Sequence, residues 1–187
     1  MHHFRKRWWG RYFLASLFLI GCMVTACGTK TSVTAIEQSD EVAIYAAVVR
    51  QIYVEDDTFG GTLQPPNLYI IRYTNDKAGD PMGKSGESLL LSESVQSEVR
   101  TALQDLPAEI IWVDTRENVE LDSNNGRVVG GGAIIGLGNI YLQEDGSAQV
   151  SGSIYVANLA AGGQTYNLAK TDGRWEIIGT TGIMWIS

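Results

Sequence analysis

The last third of the chain constrains the fold most, because strand-like runs alternate there with short glycine turns. Four runs are rich in β-branched and aromatic residues, at positions 128–142, 148–159, 164–170 and 175–186. They are separated by three dipeptides typical of tight hairpins, Asp145-Gly146, Gly162-Gly163 and Asp172-Gly173. We therefore predict an antiparallel meander of four strands, the first of which can bend at its glycines.

Two helical segments precede this meander, and each is followed by a short strand. Ser39 can cap the first helix, whose apolar stripe runs to about Val54. Ser92 can cap the second, whose apolar residues keep helical spacing until Pro107 ends it. Residues 68–73 and 109–113 have strand composition. The order predicts an α+β fold, in which two helices pack on a curved, mainly antiparallel sheet that ends in a four-stranded meander.

This element order resembles the cystatin-like and nuclear transport factor 2-like folds, in which a curved sheet wraps a helix and encloses a pocket. The resemblance rests on the order of the elements and on the closing hairpin of residues 166–177. It implies a pocket that aromatic side chains can line, although core packing is the alternative for each of them. The candidates are Tyr45, Tyr53, Tyr69, Tyr73, Trp112, Tyr141, Tyr155, Tyr166, Trp175 and Trp185.

The first 26 residues have the composition of a signal peptide. Basic residues between Arg5 and Arg11 precede an apolar stretch from Tyr12 to Ala26, and no acidic residue occurs before Glu37. A permanent transmembrane anchor is the alternative. The uninterrupted apolar run, residues 13–26, is shorter than the ~20 residues that span a bilayer, which favours a cleaved signal.

The end of this stretch, Val24-Thr25-Ala26-Cys27, resembles the lipobox of bacterial lipoproteins. The resemblance implies that Cys27 is acylated on sulfur and becomes the new N-terminus. Leu19-Ile20-Gly21-Cys22 also fits the pattern, but cleavage before Cys27 leaves a more polar tether, residues 27–38. We therefore expect one globular domain, residues 39–187, held by lipid to the extracytoplasmic side of a cell-envelope membrane.

Charge limits the partners of this expected mature protein. Four of the 14 Lys and Arg residues precede the cleavage site and none of the 21 Asp and Glu residues does, so the mature chain carries a net charge of −11. The remaining basic residues form no cluster, which argues against nucleic acid as a partner and against direct adhesion to anionic lipid.

The inventory of reactive side chains is short. Both histidines, His2 and His3, lie in the leader, and no cysteine follows Cys27. Histidine- and cysteine-based catalysis and metal binding are therefore excluded from the domain, and we predict no catalytic residue, metal site or cofactor. The glycines of residues 130–138 lack a phosphate-loop pattern, and Asp122-Ser123-Asn124-Asn125-Gly126 lacks the glutamate that completes a calcium loop. Asp56 with Asp57, and Asp76 with Asp80, can bring carboxylates together, although a solvated acidic surface explains both pairs.

Two functions remain. The first is a membrane-anchored binding or assembly module that recognises an envelope protein or a small ligand, with the long loop of residues 74–88 as its contact surface. The alternative is a pocket enzyme of the isomerase or hydrolase type that uses an Asp or Glu with a Tyr. A carboxylate facing a tyrosine in a cavity would favour the enzyme.

The sequence also predicts that the last strand is docked in the sheet, because residues 183–186 are all apolar. On that reading, removal of residues 184–187 unfolds or severely weakens the domain.

Overall fold

Two helices and six strands form the main elements of residues 36–187, the part of the chain that this computed structural model describes. The elements in chain order are α1 (Gln38–Val54), β1 (Asn67–Ile71), α2 (Glu93–Ala102), β2 (Glu109–Val113), β3 (Ala133–Leu142), β4 (Ala148–Ala157), β5 (Ala160–Thr171) and β6 (Arg174–Ile186). The expected signal peptide, Cys22, Cys27 and most of the expected tether lie outside the described residues.

The strands form one mixed sheet in the order β2-β1-β3-β4-β5-β6. The pairings from β3 to β6 are antiparallel, which confirms the α+β class and the meander. Strand β1 pairs in parallel with both β2 and β3, a feature that the sequence reading did not predict. Parallel neighbours need a crossover, and α2 provides the one between β1 and β2.

Both helices pack on one face of the sheet, where the main core lies. Tyr45, Val48, Val49 and Ile52 of α1 are buried there with the inward side chains of β1, β3, β4 and β5. Helix α2 packs beside α1 and is tied to β2, because the Trp112 indole donates a 3.0 Å hydrogen bond to the Gln96 carbonyl. Arg50 of α1 forms an ion pair at 2.7 Å with Asp105, which follows the end of α2.

The two helix starts differ in how well the sequence predicted them. Ser92 caps α2, since its hydroxyl accepts a 3.2 Å hydrogen bond from the Val95 amide. The prediction that Ser39 caps α1 is wrong, because α1 begins at Gln38 after Glu37, whose side chain makes no capping bond. The acidic residues Asp40 and Glu41 do lie in the first turn, where they suit the helix dipole.

Two of the three predicted hairpin turns are confirmed. Gly146 and Gly173 have positive φ angles of 81° and 80° in the turns before β4 and β6. Gly162-Gly163 instead lies inside β5, and the turn between β4 and β5 falls at Asn158-Leu159. Position 163 requires glycine for a reason other than a turn, because a Cβ there would overlap the Ala78 carbonyl oxygen. Strand β3 also begins later than predicted, at Ala133, after a short 3-10 turn at Val129–Gly131.

Strand β6 is docked at one edge of the sheet, as predicted, but not because its end is buried. It pairs with β5 along its length, with register shifts in two places. The side chains of Ile183, Met184 and Ile186 stay 61–63% exposed. Only Trp185 near this end is partly buried, and its indole donates a 2.9 Å hydrogen bond to the Ala78 carbonyl.

This geometry changes the expected effect of deleting residues 184–187. The deletion removes the Trp185 bond and the backbone bonds between Ala161 and Ser187, at about 1 kcal/mol each. We expect the free energy of unfolding to fall by about 2–3 kcal/mol, short of the 5–15 kcal/mol that hold a domain together. Urea unfolding of the full and shortened chains measures it. Trp185→Phe is the control that removes one bond alone, and an unchanged urea midpoint in the deletion would contradict the docking.

Candidate functional site

The face of the sheet opposite the helices is covered by residues 74–88, which we call the covering segment. Its first residues are anchored by backbone hydrogen bonds from Thr74 to Leu89, at 2.9 Å, and from Asn75 to Leu137, at 2.7 Å. The Ser88 hydroxyl closes the segment with a 2.8 Å bond to the Thr74 carbonyl. The long loop predicted as a contact surface is therefore an ordered layer on the sheet.

Asp76 fastens the covering segment to β3. Its carboxylate accepts hydrogen bonds from the Gly86 amide at 2.7 Å, the Tyr141 hydroxyl at 2.6 Å and the Asn139 amide at 2.8 Å. A fourth bond comes from the Asn139 side chain at 3.2 Å. Burial raises the pKa of Asp76, but the bond from Tyr141 and those from Asn139 and Gly86 outweigh it and leave the pKa below its ordinary value. The carboxylate is thus held ionised as a structural clamp.

The sequence pairing of Asp76 with Asp80 does not produce a metal site. Asp80 accepts a local 3.0 Å bond from the Met82 amide, whereas Asp76 is occupied by its four donors. In residues 36–187, no group of three or more His, Cys, Asp or Glu side chains is placed to hold a metal ion. The Asp122–Gly126 stretch is an Asx-type turn, because Asp122 accepts bonds from the Asn124 and Asn125 amides.

A cleft of about 510 Å³ opens between the covering segment and residues 114–116. Its floor is formed by Ile71, Ile134, Gly136 and Ser153, and Tyr73, Tyr155 and Trp185 also line it. The cleft lies beyond the carboxyl ends of the parallel strands β1 and β2, where open sheets commonly bind ligands. Its volume is within the usual range of small-molecule sites, ~300–1,000 Å³.

Three acceptor side chains of this cleft already have partners within the fold. Asp114 forms an ion pair with Arg72, and the Asn75 side-chain oxygen accepts the Lys77 amide at 3.0 Å. The Thr74 hydroxyl donates to Asn139 at 2.6 Å and accepts from the Leu89 amide at 2.8 Å. These contacts engage the Asp114, Asn75 and Thr74 side chains within the fold, although the Asp114 side chain stays 47% exposed.

Two basic side chains of the cleft, in contrast, have no acidic partner in the described part of the chain. Lys77 lies on the covering segment and Arg116 on the opposite wall, and neither forms an ion pair within residues 36–187. The Arg116 guanidinium lies 3.7 Å from the centroid of the Tyr155 ring, which positions it over the floor. The Ser85 and Ser153 hydroxyls line the same space. The cleft therefore presents hydrogen-bond donors and two positive charges in an acidic domain.

A second, smaller pocket of about 200 Å³ lies on the helix side of β4, β5 and β6. Asp56 and Tyr166 both line it, and Asp56 accepts a 2.9 Å hydrogen bond from the Gln164 side chain. Burial is the largest cause of the raised pKa of Tyr166, and the nearby Asp56 raises it further. The pocket thus brings a carboxylate close to a tyrosine, as the enzyme alternative requires.

The carboxylate pair Asp56-Asp57 divides between two roles. Asp57 is fully buried and accepts backbone bonds from Phe59, Gly61 and Leu63 at 2.6–2.9 Å. Asp57 therefore fixes its own loop, whereas Asp56 and the preceding Glu55 line the second pocket. Glu41 and Tyr45, whose pKa values are both raised by burial, lie one turn apart on α1 and line neither cavity.

The ten aromatic candidates are spread over both faces. Tyr45, Tyr53 and Tyr166 are buried in the main core, whereas Tyr73, Tyr155 and Trp185 line the cleft. Sequence reasoning missed Lys77 and Arg116, because isolated basic residues give no motif. Each of them follows a short strand, Lys77 after β1 and Arg116 after β2. If the two strands had been recognised as parallel, this position would have indicated that both residues lie at the same end of the sheet.

These features define an α+β domain with helices on one face of a mixed sheet, a covering segment on the other, and a donor-lined cleft at the ends of its parallel strands. Comparisons with protein-family models, with curated proteins and with solved structures found no match. Among residues 36–187, neither helix has the length and apolar character needed to cross a bilayer.

Proposed function

We propose that this protein is a lipid-anchored, extracytoplasmic binding module of the cell envelope, and that its cleft holds a small ligand. The observation that carries the binding role is the state of the cleft's polar groups. Its Asp114 and Asn75 side chains have partners within the fold, while Lys77 and Arg116 form no ion pair in the described residues. Donors that the fold itself does not use are available to a ligand.

The anchoring part of the proposal is supported by the leader. A basic region, a short apolar run and Val24-Thr25-Ala26-Cys27 follow one another in the order of a lipoprotein signal. A single acyl chain binds membranes weakly, so stable anchoring requires more than one chain. With Cys27 diacylated, the acidic domain stands away from anionic lipid on its polar tether.

Replacement of Cys27 by serine tests the anchor. We expect the Cys27→Ser protein to stay as unprocessed precursor or to leave the membrane fraction, because no thiol remains to be acylated at that position. Cys22→Ser is the matched control and is expected to be processed normally. Mass spectrometry of the mature N-terminus measures both. Diacyl modification on Cys22 of the wild-type chain would contradict the assignment of Cys27.

The binding role is tested by blocking the cleft. The exposed Ser85 lines the cleft, so Ser85→Trp fills part of it, whereas Ser97→Trp places the same side chain on the exposed surface of α2. Native mass spectrometry of the full chain, released from detergent after exposure to an envelope extract, detects retained small molecules. Retention by wild type and Ser97→Trp but not by Ser85→Trp supports the proposal. Retention by none of the three contradicts it.

The second pocket favours one alternative, a pocket enzyme that uses Asp56 and Tyr166. This alternative is supported by the pocket that Asp56 and Tyr166 both line. A screen of the purified protein for ester, phosphate, glycoside and peptide hydrolysis and for isomerase activity distinguishes the two functions. Turnover that Asp56→Asn and Tyr166→Phe each abolish, while Tyr141→Phe does not, would replace the binding role by the enzymatic one.

A further inference from the structure

We infer that the ligand of the cleft is a small organic carboxylate, whose head group lies between Lys77 and Arg116 and whose apolar body lies on the floor. This inference rests on the proposed binding function and names its ligand class. The charge pattern is its first support. Residues 36–187 contain nine Lys and Arg against 21 Asp and Glu, and yet two of those nine line one cleft without an ion pair in this part of the chain.

Four of the seven other basic side chains have partners within the described part of the chain, whereas Lys84, Arg127 and Arg174 form no ion pair there and lie outside the cleft. Arg50, Arg72 and Lys170 are each neutralised by an aspartate, and Arg100 donates to the Ile110 carbonyl. In the cleft, the Arg116 guanidinium lies over the Tyr155 ring, and its N–H donors form no ion pair in residues 36–187. An arginine and a lysine together provide the charge-assisted bonds that carboxylates accept.

The surrounding charge argues for a ligand with a single negative charge. The described residues carry a net charge of −12, and a field of that sign opposes the approach of multiply charged anions. It acts over about 8–10 Å at physiological salt, beyond which it is screened. Within that distance, Lys77 and Arg116 attract the carboxylate head group, and the neighbouring Asp114 is paired with Arg72. A phosphate dianion carries a second negative charge, which the net negative field of the domain opposes.

The floor argues for an apolar or planar body next to the head group. Ile71 and Ile134 line the cleft together with Tyr73 and Trp185. The Trp185 indole nitrogen is bonded to Ala78, so the ring presents its apolar part to the cleft. A body about the size of a phenyl or indole ring fits a space of 510 Å³.

The test is a titration of the full chain in detergent with three probes of one shape, namely 3-phenylpropionate, its neutral amide and phenyl phosphate. Protein NMR follows the amides of Gly86 and Thr115 and the indole of Trp185. We expect the carboxylate to bind at least tenfold more tightly than the amide, with shifts confined to the cleft. Lys77→Gln and Arg116→Gln are each expected to weaken it about tenfold or more, because each removes one charge-assisted partner.

Lys84→Gln and Arg127→Gln are the matched controls, because they remove the same charge outside the cleft and are expected to leave the affinity unchanged. Equal affinity for the amide, tighter binding of phenyl phosphate, equal weakening by the control variants, or no cleft shifts with the carboxylate up to about 10 mM would each overturn the inference. A neutral compound that Ser85→Trp displaces would overturn the carboxylate while leaving the binding function intact, so the two failures are distinguishable.

Discussion

Replacement of Asp76 by alanine is expected to lower the free energy of unfolding by about 3 kcal/mol and to release the covering segment. The carboxylate accepts four hydrogen bonds, from Gly86, Asn139 and Tyr141, and bonds to a charged acceptor contribute ~1.5–3 kcal/mol each when they are buried. The site is only partly buried, so water satisfies some of the released donors and the total stays below the simple sum. Urea unfolding measures the loss.

Asp80→Ala is the matched control for this prediction. Asp80 lies in the same segment, but its carboxylate accepts one local bond from Met82, so its loss is expected to cost about 0.5 kcal/mol. Hydrogen exchange at the Gly86 and Asn139 amides gives a second readout, because both donate to Asp76. Equal stability losses in the two variants would show that Asp76 does not clamp the segment.

The same carboxylate gives the domain a defined acid sensitivity. The pKa of Asp76 is lower in the folded protein than its ordinary value of 3.8, so the folded state binds its proton more weakly than the unfolded state does. Its stabilisation is therefore fully present above that ordinary value and disappears as the pH falls through the lowered folded pKa. We expect the stability difference between wild type and Asp76→Ala to shrink as the pH falls below about 4.

Replacement of Gly163 by alanine is expected to cost about 3 kcal/mol or more. A Cβ at this position would overlap the Ala78 carbonyl oxygen and lie 2.8 Å from that of Gly152, and both are backbone atoms. Overpacking usually costs ~1–3 kcal/mol, and the upper end applies where no flexible side chain can move aside. The change pushes the covering segment off β5 and breaks the bond between Trp185 and Ala78.

Gly136→Ala provides the comparison for Gly163→Ala. Its Cβ would meet the Ser153 hydroxyl at 2.7 Å, and that hydroxyl can rotate away, so the expected cost is about 1 kcal/mol. Urea unfolding and the near-ultraviolet circular dichroism of the tryptophans follow both variants. If Gly163→Ala proved as stable as wild type, the covering segment would not lie directly on the sheet.

The fold could be predicted where one local rule decides the structure. Ser92 begins a helix because its hydroxyl replaces a missing backbone partner, and Gly146 and Gly173 make turns because they adopt positive φ angles. Gly162-Gly163 shows the limit of such rules. The dipeptide has the composition of a turn, but it lies in β5, where the backbone of Ala78 in the covering segment packs directly on Gly163. Only the tertiary structure distinguishes these two uses of glycine.

The site was less predictable than the fold for the same reason. The parallel pairing of β1 with β2 depends on how α2 crosses between them, and strand composition does not reveal it. Without that pairing, Tyr73 and Arg116 have no reason to be associated, although both line the cleft. The separate roles of Asp76 and Asp80 were equally hidden, because the sequence places both in one loop and only the hydrogen bonds show that Asp76 alone joins it to β3.

The irregular pairing of β6 reduces the tendency of neighbouring copies of the protein to aggregate through their sheet edges. A free sheet edge with evenly spaced amides and carbonyls acts as a template for another strand, and exposed Ile183, Met184 and Ile186 would strengthen such an addition. Register shifts in two places interrupt that spacing, and Gly182 turns the backbone with a φ of 77°. A lipid anchor of the proposed kind would concentrate the chains in two dimensions, where the bulged edge lets them meet repeatedly without joining into a continuous sheet.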